Sequence, residues 1–252
     1  MSIHDDASGA RLVTYVVDET IQCGQPGFAT RVRRRVRVVD VTKHNDCKFC
    51  RLVTLEVLGN NDEILYKQSI ELENFGDIRV VNGARESGVP IDMTLAGFAE
   101  SIDVYADVAA WGVAHPSAGK TLKPGWVAHV GTMPNMRRDK AAEFSPTSHV
   151  WIIGEVRACE TLLNETTRHG YVRARIEAYE SELDVLIPER ECPGDLRAGC
   201  IVRATCYVTG RVTTDQSLEW ITTRSRPGAG VVFHSTREDY DRLTASAKDP
   251  GA

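Results

Sequence analysis

Alternation with a period of two residues dominates this chain and constrains its fold more than any other feature. In the stretch Arg31-Val-Arg-Arg-Arg-Val-Arg-Val-Val39, Val32, Val36 and Val38 fall on one side of an extended backbone, with Arg31, Arg33, Arg35 and Arg37 on the other. Arg34 lands on the apolar side, so the spacing predicts that it lies near a sheet edge. Similar runs at Leu12–Val17, Phe49–Leu58, Glu63–Glu73 and Asp77–Val81 read as further strands, separated by turn signals such as Gly59-Asn-Asn-Asp62. Residues 91–114 read as a strand at Ser101–Tyr105 followed by a short helix near Asp107–Ala114. Long helical periodicity is missing. The expectation is an all-β fold, mainly antiparallel.

Residues 115–148 carry prolines 116, 124, 134 and 146 and one short apolar run, Trp126–Val130. Loops of this length join modules or carry function. The organisation expected is therefore a β-rich module over 1–114, a connector over 115–148, a barrel over 149–234 and a helix or tail over 235–252. The tail would start at the capping box Ser235-Thr-Arg-Glu238. No internal repeat is visible in the sequence.

In the second half, strands are expected at Val150–Val156, Tyr171–Tyr179, Leu183–Ile187 and Cys200–Val212. Ile153-Gly154-Glu155-Val156, Gly199-Cys200-Ile201-Val202 and Gly210 resemble the strand motifs of the OB-fold, a small five-stranded barrel. Pro188–Ala198 departs from that pattern, being too short for the helix that usually joins the third and fourth strands. The 150–212 stretch is also similar to the C-terminal segment of uncharacterised bacterial proteins, a resemblance that implies a fold and no activity.

Charge sets limits on partners. Residues 1–149 hold 17 basic and 19 acidic side chains, residues 150–252 hold 13 and 16, and the whole chain carries −5. Neither half is a polybasic domain. No run approaches the length of a membrane helix, and the N-terminal residues lack a secretory leader pattern, so a cytoplasmic protein without a membrane partner is expected. Seven cysteines in such a chain read mostly as reduced thiols.

Three groups of residues could carry chemistry. His44, Cys47 and Cys50 have knuckle-like spacing in a turn between two strands, and Cys23 could complete a zinc site; ordinary thiols without a cofactor are the plainer alternative. The arginine row at 31–37 could bind anions or pair with acids on a neighbouring strand, Glu71 and Glu73 being candidates. On the barrel, Trp151, Arg157, Tyr171, Arg173, Arg175, Arg203, Tyr207 and Arg211 interleave rings with guanidinium groups as single-stranded nucleic acid requires, unless Glu155 and Glu177 neutralise them. Common hydrolase, zinc-protease and dinucleotide signatures do not occur. Gly119-Lys-Thr121 lacks the earlier glycine of a phosphate loop. The expected function is a non-catalytic binding module for another protein, through its β modules or an apolar patch with Trp111, Trp126, Met133 and Met136. Single-stranded nucleic acid on the barrel face is the alternative, and an enzyme or a zinc-dependent protein using the cysteine cluster is the third.

Overall fold

The computed structural model describes residues 2–43, 49–116, 125–129 and 147–213. Twelve strands occur among them: β1 Ser2–Asp5, β2 Ala10–Val17, β3 Thr20–Phe28, β4 Arg33–Lys43, β5 Arg51–Leu58, β6 Ile64–Leu72, β7 Ile91–Tyr105, β8 Trp126–His129, β9 His149–Leu163, β10 Gly170–Ala178, β11 Ser181–Pro188 and β12 Ile201–Val212. Two helices, α1 Ile78–Ser87 and α2 Val108–Ala114, and brief 3-10 turns complete them. The protein is all-β, with mostly antiparallel pairing. No helix among the described residues is long and apolar enough to cross a membrane.

Pairing across the chain closes two rings of strands that share a wall. One runs β4–β5–β6–β12–β7 and back to β4, and the other runs β9–β10–β11–β7–β12 and back to β9. The shared wall is the antiparallel pair β7 and β12, paired from Ile201 opposite Tyr105 to Val212 opposite Met93 with one register shift between Thr205 and Cys206. Their roles are exchanged between the rings. Strand β7 pairs antiparallel with β4 and parallel with β11, while β12 pairs antiparallel with β9 and parallel with β6. The pairing pattern therefore repeats although the sequence shows no repeat. Strands on the two sides of residues 115–148 hydrogen-bond to one another, and each ring takes one strand from the far side.

Burial follows the alternation. Val36, Val38, Val53, Leu55, Ile70 and Leu72 in the first ring join Val150, Ile152, Ile176, Val185, Val202 and Val208 in the second, making one continuous cluster. Fully burying such side chains stabilises by about 1.5–3 kcal/mol each. Two of the glycines that carry the OB resemblance are fixed by close packing. A Cβ on Gly154 would sit 2.4 Å from the Glu177 carbonyl oxygen, and one on Gly210 would sit 2.3 Å from Ile70 Cδ1.

One local expectation is corrected. Asp77–Val81 is not a strand: Asn74 caps a 3-10 turn at Phe75–Asp77 by accepting from the Gly76 N–H at 2.8 Å, and the turn runs on into α1. Ile78, Val81 and Ala84 recur every three residues along α1 and pack against the first ring, which the β-branched run Ile-Arg-Val-Val concealed. Arg34 stands opposite Met93 of β7, in the part of β4 that precedes its pairing with β5, and its guanidinium reaches the Glu182 carbonyl. Beside it, fully buried Asp184 accepts from Thr30 Oγ1 at 2.6 Å and from Arg175 Nε at 3.1 Å.

The three-stranded sheet β1–β2–β3 is laid over both rings. Val13 and Tyr15 pack with Phe49 and Phe75 beside the first ring, and Phe28 packs with Ala96 and Leu186 at the second.

Because β7 belongs to both rings, residues 149–213 expressed alone lack the strand that closes their ring, leaving the β11 and β12 edges bare. A urea titration of this fragment, followed by Trp151 fluorescence, is expected to show no cooperative transition. A sigmoidal transition would show that the ring closes without β7.

Candidate functional site

On the predicted barrel face most of the arginines are already paired. Arg157 lies 2.5 Å from Glu155 and 2.6 Å from Glu177, so both suspected acids engage it. Arg173 pairs with Glu160, Arg175 with Asp184, and Arg203 donates to Asp103 at 2.9 Å. The tyrosines are tied down as well. Tyr171 donates to the Ser8 carbonyl at 2.9 Å and meets the Phe28 ring edge-on, and Tyr207 donates to Glu71. Burial and the Glu71 hydrogen bond push the Tyr207 hydroxyl well above its ordinary pKa. Trp151 is half-buried opposite Thr205. Arg211 lines a cavity.

The arginine row on β4 divides. Arg35 pairs with Asp62 at 2.9 Å and Arg37 with Glu56 at 3.0 Å, in place of the candidate partners Glu71 and Glu73. Glu71 instead accepts from Gln25 at 2.7 Å, and Glu73 from Arg11 at 2.9 Å. Arg31 and Arg33 line the same cavity as Arg211.

Of the proposed zinc ligands, Cys23 and Cys50 come together, with their sulfurs 3.2 Å apart. Cys50 is disulfide-bonded. His44 and Cys47 lie outside the described residues, as do Met133, Met136 and the tail from residue 214. Among the described residues no group of three His, Cys, Asp or Glu side chains is arranged to hold a metal ion. Trp111 is buried in a small cluster with Ile153 and Ile201.

The cavity, of about 590 Å³, opens where the β1–β2–β3 sheet meets the first ring and is lined by Asp5, Arg11, Ala29, Thr30, Arg31, Arg33, Thr94, Arg211, Val212 and Thr213. Strand register builds its floor. Arg33 stands opposite Thr94, and Thr94 opposite Arg211, so the three form one row across β4, β7 and β12. With strands about 4.8 Å apart, the two arginine backbones are about 10 Å from each other, with a threonine hydroxyl between them. Arg11 reaches the cavity from β2, held by Asp5 on one side and Glu73 on the other.

Two carboxylates lie buried beneath these arginines. Burial pushes Glu73 up, against the pull of Arg11. Burial likewise pushes Asp77 up to about 6, opposed by Arg211 and by the Val212 N–H it accepts at 3.0 Å, with Glu73 adding repulsion. Arg31 and Arg211 have no carboxylate within ion-pair distance among the described residues, unlike Arg157, Arg173, Arg175 and Arg203. The cavity can therefore hold an anion by guanidinium and hydroxyl donors. Sequence reading found Arg31, Arg33 and Arg211 as separate rows but missed Arg11, Thr94 and Asp77, for which the local pattern gives no signal.

No family model matches the chain, no curated protein is similar to it, and no solved structure matches its fold.

The raised Asp77 carboxyl has a defined effect on stability. Its folded-state pKa of about 6 exceeds the ordinary 3.8, so the folded state holds this proton more tightly. Stability from this group is greatest below pH 4 and falls as pH rises towards 6. Asp77→Asn removes that dependence. In urea titrations at pH 4.5 and 7, the variant is expected to gain about 2 kcal/mol on the wild type between the two, at 1.36 kcal/mol per pKa unit. An equal difference at both values would mean that Asp77 titrates normally.

Proposed function

We propose that the protein is a non-catalytic binding module for single-stranded nucleic acid, gripped by its phosphates in the arginine-lined cavity. One observation carries the reading: Arg31 and Arg211, without ion-pair partners among the described residues, converge with Arg11 and Arg33 on a single opening. Guanidinium groups match phosphate oxygens two at a time and stay charged at all working pH values. The volume suits a site for a few ligand groups rather than for one ion.

The rings support a strand-like ligand. We propose that both are OB-like, each a meander of three strands completed by β7 and β12, and barrels of that type bind oligonucleotides. No aromatic side chain is among the described residues lining the cavity, so base stacking contributes little to their grip. Affinity then comes from phosphate contacts and is largely independent of sequence. The acidic total charge is no obstacle to this, since the site is local: Glu73 and Asp77 are buried, and Asp5, which lines the cavity, is paired with Arg11.

The test is fluorescence anisotropy with labelled mixed-sequence single-stranded DNA and RNA at about 50 and 200 mM salt. Wild type is expected to bind, and more weakly at the higher salt. The double variant Arg31→Ala/Arg211→Ala should lose tenfold or more in affinity and flatten the salt slope by about two, because each phosphate-contacting arginine contributes about one. Arg173→Ala, on the paired face, should leave binding unchanged. Pyrophosphate competing at micromolar concentration would assign the cavity to small phosphates instead of a strand. No binding of either at low salt by the folded protein would discard the reading.

A further inference from the structure

At the foot of the cavity sits a carboxylate held by uncharged donors. Asp77 is only 3% exposed, and among the described residues no cation lies within ion-pair distance of it. Its Oδ2 accepts from the Val212 N–H at 3.0 Å, and its Oδ1 accepts from Asn74 Nδ2 at 3.3 Å. Val212 lines the cavity and follows Arg211 directly, so one hydrogen bond joins this carboxylate to the strand segment that presents Arg211. Two other ionisable groups face Asp77. Glu73, from the end of β6, is held by Arg11 at 2.9 Å, and the Tyr15 hydroxyl on β2 accepts from the Phe75 N–H at 2.7 Å. Arg211 is thus the cation that acts on Asp77, and it does so from beyond contact. A phosphate on Arg211 brings a second negative charge to the same guanidinium. In a buried setting the two anions repel, so bound phosphate disfavours an ionised Asp77 and leaves a protonated one untouched.

We propose that phosphate binding in the cavity is proton-linked through Asp77: a strand phosphate is taken up at Arg211 together with a proton that solvent delivers to the Asp77 carboxyl. This rests on the assignment of the cavity to strand phosphates and adds its regulation. Burial pushes the carboxyl up to about 6 while Arg211 opposes the rise, so the switch falls where a small change in pH alters its charge. At higher pH the ionised carboxylate offsets Arg211 and the grip is weak. At lower pH the neutral carboxyl leaves Arg211 to the ligand and the grip tightens. The coupling is reciprocal: a phosphate that occupies Arg211 cancels its pull and draws the Asp77 pKa further up.

The experiment uses the full chain and labelled oligo-thymidylate, whose phosphodiesters and bases keep their charge between about pH 5 and pH 8, at constant low salt. Wild-type affinity is expected to be at least about fivefold tighter at pH 5.0 than at pH 7.5, the lower end of ordinary coupling between two sites. Asp77→Asn, which mimics the protonated carboxyl, should bind at pH 7.5 about as tightly as wild type does at pH 5.0, with most of the pH dependence gone. Calorimetry of the wild type at pH 6.5, in two amine buffers of different ionisation enthalpy, should show net proton uptake on binding and needs no variant. Strand binding without proton uptake overturns the linkage and leaves the cavity a phosphate site, as does uptake that folded Asp77→Asn retains in full. Absence of strand binding at both pH values overturns the linkage and the phosphate assignment together.

Discussion

The antiparallel pairing of β7 with β12 is the interaction on which the rest of the structure depends. Each strand is long, 15 and 12 residues, because each must serve as wall to both rings. A register shift between Thr205 and Cys206 lets the pair bend as it passes from one ring to the other. Since the partners lie about a hundred residues apart, the chain pays loop-closure entropy before either ring can bury its interior. Such non-local pairing points to slow folding in which the two rings form together.

The same pairing sets the chemistry of the surface. Arg33, Thr94 and Arg211 are neighbours only because β4, β7 and β12 are adjacent in this register. Behind them, Glu73 and Asp77 are buried where ionisation is costly, and they draw down the local positive potential when charged. Between the rings, Asp184 holds Thr30 and Arg175. Thr30 also borders the cavity, so the inter-ring seam and the anion site share a residue. Polar groups buried in this way stabilise only while every partner is present.

Much of the fold was legible because alternation reports directly on a half-buried strand. The reading of Leu183–Ile187 falls within Ser181–Pro188, and Tyr171–Tyr179 matches Gly170–Ala178 almost residue for residue. Legibility failed where a different constraint decided the local sequence. Strand β3 was not among the expected strands: Gly24, Pro26 and Gly27 break its alternation, yet an edge strand tolerates proline. In β7 the stretch Ala96-Gly97 breaks the pattern because Gly97 packs closely against Cys206 and Val185. The candidate site was only partly readable. Outward-facing arginines are visible in a sequence, but which of them meet an acid and which meet a cavity depends on register between strands far apart in the chain. Cys23 and Cys50 show the same limit from the other side: the pairing was open to suspicion, and only the Tyr15–Phe49 contact explains why it forms.

Native-state hydrogen exchange across the β7–β12 wall tests the shared-strand account most directly. If the wall holds both rings, the buried amides of Val38, Leu55 and Ile70 in one ring and of Ile152, Ile176 and Val185 in the other should exchange through a single global opening. Their opening free energies should then be equal and should shift by the same amount when Val208→Ala weakens β12. Protection in 149–213 that persists at denaturant concentrations where residues 33–72 already exchange freely would contradict it, because the two rings would then be separate folding units.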